Sequence, residues 1–291
     1  VNGIDSYKEH LMQDASKPIW INKTQQPVAS SKDPIIFVAT PVHSDVSMHY
    51  TQALLEFQKA CFKKNILVSF CLMKSSLVTQ GRNLCVSNMF EEPVPYTHFV
   101  FIDSDIHFSP QTIFTMIEKD KDVIACPYPM KTINWDKLYK RDRHLPSKDG
   151  NHLSRRGFTY PVKLENQEDI KVYEGVAEVT HVPTGCTVIK RAVFEKMFEA
   201  YPNLKINQPH LINGRYADKP YFYNLFDTYH EPKTKLYYGE DFGFCKRWTE
   251  IGGKCHIYVN DEIAHVGEYQ YIGRIKDEFE YVKPIDESNK N

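Results

Sequence analysis

Between Pro34 and Cys126 the chain alternates short apolar runs with longer amphipathic stretches, and this rhythm narrows the possible folds more than any other feature. Pro34-Ile-Ile-Phe-Val-Ala-Thr-Pro41 is apolar on both alternating faces and bounded by prolines, the pattern of a strand covered on both sides. Residues 48 to 64 carry Ala53, Leu54, Phe57, Ala60 and Cys61 at spacings of three and four, which predicts a helix with one buried stripe, ending at Lys63-Lys64. A second strand follows at Ile66 to Met73, then a helix from about Arg82 to Phe90 and a third strand at His98-Phe-Val-Phe-Ile-Asp103. A helix at 110 to 118 is announced by Ser109 as N-cap with Pro110 in the first turn, and Lys121 to Cys126 is a fourth strand. Such alternation requires crossover connections and a mostly parallel sheet flanked by helices, a Rossmann-like α/β architecture.

Past Pro127 the rhythm lapses. Residues 137 to 156 hold seven Lys/Arg against two Asp and read as a long basic loop, either a solvated insertion or a flap over an anionic ligand. Structure resumes at Val172, with a strand at Val176 to Val182. Thr187 to Ile189 leads into a helix near Ala192 to Glu199, and residues 201 to 236, rich in Pro, Asn and Tyr, read as irregular. A helix from Glu240 to Ile251, stopped by Gly252-Gly253, precedes a last strand at Lys254 to Val259. The expected organisation is an N-terminal arm (1–33), one domain over 34–267 with halves at about 34–130 and 170–267, and a lid or tail at 268–291.

The whole-chain balance of 36 basic and 37 acidic residues offers no general attraction for nucleic acid or anionic membrane. The longest apolar run is far short of the roughly 20 residues that span a bilayer. Seven scattered cysteines without a C-x-x-C pair, and no basic-plus-apolar leader, favour reduced thiols and a cytoplasmic setting.

Three features carry chemistry. An apolar strand ending in Asp103-Ser104-Asp105 sets two carboxylates at the carboxyl edge of a sheet, where open α/β sheets bind ligands. Hard oxygen donors there suit Mg²⁺ or Mn²⁺ bridging a diphosphate, although the same residues also serve as turn chemistry. Gly239-Glu240-Asp241 opens a helix with two acids, which is either simple capping or a carboxylate held as general base for an acceptor hydroxyl. His265, in Asp261-Glu-Ile-Ala-His-Val-Gly267, gains meaning only if Asp105 lies close enough to share a metal.

In this order the three features, with Ala39-Thr40-Pro41 ending the first strand, Gly81-Arg82-Asn83, and Pro183-Thr-Gly185-Cys-Thr-Val-Ile-Lys-Arg191-x-x-Phe194, resemble the GT-A fold of family-2-like nucleotide-sugar glycosyltransferases. The resemblance covers roughly residues 34 to 267. It implies a divalent cation, Mn²⁺ or Mg²⁺, held by Asp103, Asp105 and His265 on the diphosphate of a donor such as a UDP-sugar. It also implies nucleoside or donor contacts from Thr40, Pro41, His43, Arg82 and Ser104, with Asp241, or less readily Glu240, as the base of an inverting reaction, and the 183–194 pattern on the acceptor side. One departure stands out: after the first strand such proteins carry a run like Tyr-Asn, where this chain has Pro41-Val-His43-Ser. The stretch from Ile102 to Trp135 also looks like glycosyltransferases of large phages and giant viruses, whose acceptors are glycans or hydroxymethylated bases in DNA.

Two other classes compete. An aspartyl phosphohydrolase also places Asp-x-Asp after a strand, but near the domain start and with Thr two residues later, where this chain has His107. A non-catalytic relative that binds sugar or DNA would keep the fold without needing Asp103, Asp105, Asp241 and His265 together.

Overall fold

A computed structural model describes residues 33–141, 154–162, 170–208, 210–212 and 215–279. The chain opens with β1 (Ile35–Val42), α1 (Met48–Lys63), β2 (Leu67–Lys74), α2 (Val78–Glu91), β3 (His98–Ile102), β4 (Ile106–His107), α3 (Pro110–Glu118), β5 (Val123–Ala125) and α4 (Trp135–Arg141). It continues through β6 (Val172–Tyr173), β7 (Val176–Val179), β8 (Cys186–Lys190), α5 (Arg191–Ala200), β9 (His210–Ile212), β10 (Arg215–Ala217), β11 (Tyr229–His230) and β12 (Tyr237–Tyr238). The last elements are α6 (Glu240–Glu250), β13 (Cys255–Tyr258), β14 (Ile263–Val266), β15 (Gln270–Gly273) and α7 (Lys276–Phe279).

Eight strands form the central sheet in the order β2-β1-β3-β8-β5-β13-β7-β6. Strands β2, β1, β3, β5 and β13 run one way, while β8, wedged between β3 and β5, and β7 run the other. The result is a mixed α/β molecule with a large, mostly parallel sheet flanked by helices. Because β8 from the second half sits between two strands of the first, both halves share one sheet.

The inner strands of the central sheet are largely apolar because both faces are covered. In β1, Ile36 and Val38 pack with Tyr50, Ala53, Phe57 and Cys61 of α1 on one face. Phe37 and Ala39 pack with Leu84, Cys85 and Met89 of α2 on the other. The stripe expected on α1 is thus the buried one, and Ser47 caps it by accepting from Tyr50 N at 3.0 Å. Ser109 caps α3 in the same way, accepting from Gln111 N at 3.3 Å. All seven cysteines are buried, where a thiol acts as a small hydrophobe.

Several expectations need correction. Helix α2 starts four residues earlier than the sequence indicated, with Gly81 inside it. Its first residues have no side-chain cap to announce them, and every residue from Gly81 to Phe90 is buried, so no polar stripe marks its extent. The basic segment 137–156 is not wholly a loop. Residues to Arg141 are helical, Lys137 Nζ donates to Phe158 O at 2.6 Å, Arg155 pairs with Glu262 at 2.6 Å and Arg156 is buried; residues 142–153 lie outside the described residues. Segment 201–236 holds a β9–β10 hairpin and a strand that pairs Tyr229 with Tyr238.

The first part of the proposed tail is structural. β15 pairs with β14, and β14 with β4, in a separate three-stranded sheet, while Ile275 is buried in the core. The remainder of the tail (280–291) and the arm, apart from Asp33, lie outside the described residues. No helix among the described residues is long and apolar enough to cross a membrane.

Candidate functional site

The carboxyl ends of β1, β2, β3 and β5 meet the start of β8 and the start of α6 along one edge of the sheet. Asp103, just past β3, is pinned there: its N–H donates to Gly185 O at 2.9 Å, and its carbonyl accepts from Ile106 N at 3.1 Å, forming the turn into β4. This turn presents Asp103 and Asp105 in succession, as strand-end acids in open α/β sheets are presented.

Arg82, from the second turn of α2, is buried beneath these acids. Its Nη2 lies 3.0 Å from Asp103 Oδ1 and 3.2 Å from Oδ2, its Nε donates to Glu240 Oε1 at 3.2 Å, and its Cζ sits 5.0 Å from the Phe101 ring centre. Burial works against the guanidinium charge, but Asp103, Asp241 and Glu240 outweigh it and hold the pKa above its usual value. For Asp103 burial is the largest influence and raises the pKa; Arg82 opposes it, and Asp105 and Glu240 add to it. Asp241 is pushed up to about 6, first by burial and then by the neighbouring Glu240 carboxylate, with Arg82 again opposing. Its Oδ2 accepts a long bond from Thr184 N at 3.4 Å.

Two buried polar atoms around this cluster lack a hydrogen bond, Arg82 Nη1 and Thr184 Oγ1, while Asp103 Oδ1 is met only by the ion pair with Arg82. Unsatisfied donors and acceptors in a native interior are costly, and a water or a polar ligand would satisfy these. Gly185 makes the close approach possible, because a Cβ there would lie 2.6 Å from Tyr128 Oη and 2.7 Å from Asp103 Oδ2.

Asp105 has a different environment. Its Oδ2 accepts from Lys131 Nζ at 2.6 Å, and its Oδ1 faces His265 Nε2 at 3.5 Å. Burial raises its pKa, but His265 and Lys131 together outweigh that and leave it below the usual carboxylate value. The pairing His265↔Ile106 between β14 and β4, with Val266 N donating to Asp105 O at 2.8 Å, brings the histidine here.

His265 Nδ1 lies 2.9 Å from Pro129 O, an acceptor only, so Nδ1 must carry the proton of the neutral ring. Nε2 then faces Asp105 Oδ1, and either a proton on Nε2 or a cation between the two atoms satisfies both. A histidine oriented through its far nitrogen by a backbone carbonyl is also the usual support for a metal ligand.

Asp105 and His265 therefore fit a divalent cation, whereas Asp103 is engaged by Arg82. No group of three or more His, Cys, Asp or Glu among the described residues is arranged to hold a metal ion by itself. Magnesium-type sites commonly use one or two carboxylates and take the rest of their shell from substrate phosphates and water.

The remaining residues singled out in the sequence divide. Ser104 lies in the same turn, and its carbonyl accepts from Ser47 N at 2.8 Å. Pro41 is half-buried against Gly81, and His43 is exposed just beyond β1. Thr40 is wholly buried, and its hydroxyl shares a 2.7 Å bond with Tyr50 Oη of α1. Its side chain alternates with those of Ala39 and Pro41 along a strand covered on both faces.

Sequence reasoning missed Lys131 and Tyr128 as members of the site. Both lie in the 102–135 stretch noted above, but in a part without regular structure, where nothing local assigns either of them to the site. Tyr128 lies under the cluster, with its pKa raised by burial and by Asp103 and Asp241.

No family model matches the sequence, and no curated protein matches it. Among solved structures, A197 from STIV is similar to 80% of this chain and 86% of its own, at 16% identity and a TM-score of 0.43. A likeness of that depth leaves the chemistry to be read from the site itself.

Proposed function

We propose that this protein is a metal-dependent glycosyltransferase of GT-A type, moving a sugar from a nucleotide-sugar donor, such as a UDP-sugar, to an acceptor hydroxyl. The observation that carries the reading is the Arg82 bridge. One buried guanidinium ties the Asp-x-Asp turn to the Glu240–Asp241 helix start, which supports reading the two as parts of a single site.

Asp105 and His265 would hold the cation, with Asp103 beside them; Mn²⁺ or Mg²⁺ supplies charge neutralisation of the departing diphosphate when bound. Asp241, with a pKa near 6, is largely ionised at neutral pH and basic enough to take a hydroxyl proton. Glu240 is held by Arg82 and serves as a positioning residue. The mostly parallel sheet with acids at its carboxyl edge is compatible with GT-A. The acceptor is a glycan hydroxyl or the hydroxymethyl group of a modified DNA base.

The test is a thermal-shift screen of UDP-, GDP- and other nucleotide sugars with and without Mn²⁺, followed by turnover. Asp105→Asn is expected to abolish metal-dependent release of nucleoside diphosphate. Full activity in that variant would remove the assignment.

A further inference from the structure

Two cations touch the Asp-x-Asp carboxylates, and they are placed very differently. Arg82 has 4% of its side chain exposed and is committed to Asp103 and Glu240, whereas Lys131 has 36% exposed and contacts Asp105 from the solvent side. Lys131 is no loosely tethered surface lysine. Its neighbours are fixed, with Met130 N donating to Thr159 O at 2.8 Å, Thr132 N to Met130 O at 2.7 Å, and Pro129 O facing His265 Nδ1.

Its stem runs across Gly267, where an added Cβ would lie 3.2 Å from Lys131 Cδ. The stem passes close over the glycine on its way to Asp105 Oδ2, which the ammonium meets at 2.6 Å. Chain segments from three parts of the sequence, around 105, 131 and 267, are thus fitted together to deliver one positive charge to one carboxylate.

We propose that Lys131 is the resident cation of this site: its ammonium takes the place at Asp105 that a divalent ion would otherwise compete for, and it gives the site an affinity for a diphosphate without metal. The inference deepens the glycosyltransferase reading and rests on it for the identity of the anion, but the lysine contact itself does not depend on that reading. A compact ammonium on a flexible stem can leave a carboxylate for a phosphate oxygen as the two exchange partners. It also lowers the electrostatic barrier that Asp103, Asp105, Glu240 and Asp241 together present to an incoming anion.

The experiment uses Lys131→Met and Lys131→Arg in the full chain, with two probes. Titration of Mn²⁺ alone is expected to show about fivefold tighter binding in Lys131→Met than in the wild type, because a competing cation of a partly exposed pair has been removed. Titration of inorganic pyrophosphate in EDTA is expected to show binding to the wild type, about tenfold weaker binding to Lys131→Met, and near-wild-type binding to Lys131→Arg. Gly267→Ala, which displaces the stem but keeps the charge, should move both affinities the same way by less. Melting temperatures of all variants separate these effects from loss of fold.

Equal Mn²⁺ affinity in wild type and Lys131→Met, or metal-free pyrophosphate binding that is absent from the wild type or indifferent to the lysine, overturns the proposal. Failure of the wild type to turn over any nucleotide sugar while both titrations behave as expected would instead overturn the glycosyltransferase reading and leave the role of Lys131 standing.

Discussion

Arg82 and Glu240 are 158 positions apart, yet Arg82 Nε donates to Glu240 Oε1 at 3.2 Å inside the protein, and the same guanidinium holds Asp103 with its Nη2. Two partly exposed carboxylates thus share one buried guanidinium, which has 4% of its side chain exposed. A bridge of this kind costs free energy to bury, and removing one member costs more, since it leaves the others uncompensated.

Arg82→Met should therefore destabilise the fold by about 3–5 kcal/mol, the usual penalty for stranding buried charge. Arg82→Lys should recover only part of this, because an ammonium cannot reproduce a fork that reaches Asp103 and Glu240 together. Urea unfolding at pH 7.5 checks both. A Met variant as stable as the wild type would show that the bridge is not the organising contact.

Asp241→Asn should separate stability from activity. The folded pKa of Asp241 is raised to about 6, so its stabilising contribution is present below its unfolded value near 4 and is lost as pH rises through 6. The Asn variant avoids that loss and should be more stable at pH 7.5 by of the order of 2 kcal/mol, with the advantage vanishing near pH 4. Its sugar transfer should fall at least about a hundredfold if Asp241 is the base. Melting curves across pH, with turnover in parallel, read both effects.

Gly185→Ala places a methyl group 2.6 Å from Tyr128 Oη and 2.7 Å from Asp103 Oδ2. The expected cost is about 1–3 kcal/mol, typical of forced overpacking, together with weaker ligand binding as Asp103 is pushed off its position. Thermal denaturation and nucleotide titration would detect the two consequences; unchanged values for both would mean that the Asp103 turn yields without strain.

His98, at the start of β3, supplies a pH handle remote from the site. Burial, aided by the positive charge of Lys190, lowers its pKa to about 4. A depressed folded pKa means stability present above the unfolded value near 6.5 and lost as pH falls through 4, since the unfolded chain binds the proton first. His98→Asn should flatten that acid limb by about 2 kcal/mol while leaving transfer at neutral pH unchanged. An acid limb of the same steepness would place the titration elsewhere, for example at Asp105, whose lowered pKa acts in the same direction.

What was legible in the sequence was local. The apolar runs of β1, β2, β3 and β5 and the stripe of α1 could be read directly, because burial on both faces of a strand or on one face of a helix is written into neighbouring residues. Ser109-Pro110 marked the start of α3 to the residue, since a cap is a contact between positions two or three apart. Asp103 and Asp105 stood out for the same reason, as acids directly after a strand.

The start of α2 was not legible, because a helix buried on all sides leaves no polar face to count. The partner of Thr40 was not legible either, because the contact a side chain makes on a doubly covered strand depends on the element packed there, here Tyr50 of α1. Lys131 was hidden because its meaning comes from a carboxylate and a glycine that are distant in the chain.

The sequence by itself determined a mostly parallel α/β sheet with a pair of acids at its edge, since periodicity and strand-end chemistry depend on near neighbours. Only the tertiary structure decided which charges those acids meet: Arg82 beneath Asp103, and Lys131 with His265 around Asp105. Charges interact through distance in space, and the turn after β3 together with the pairing of β14 on β4 sets that distance.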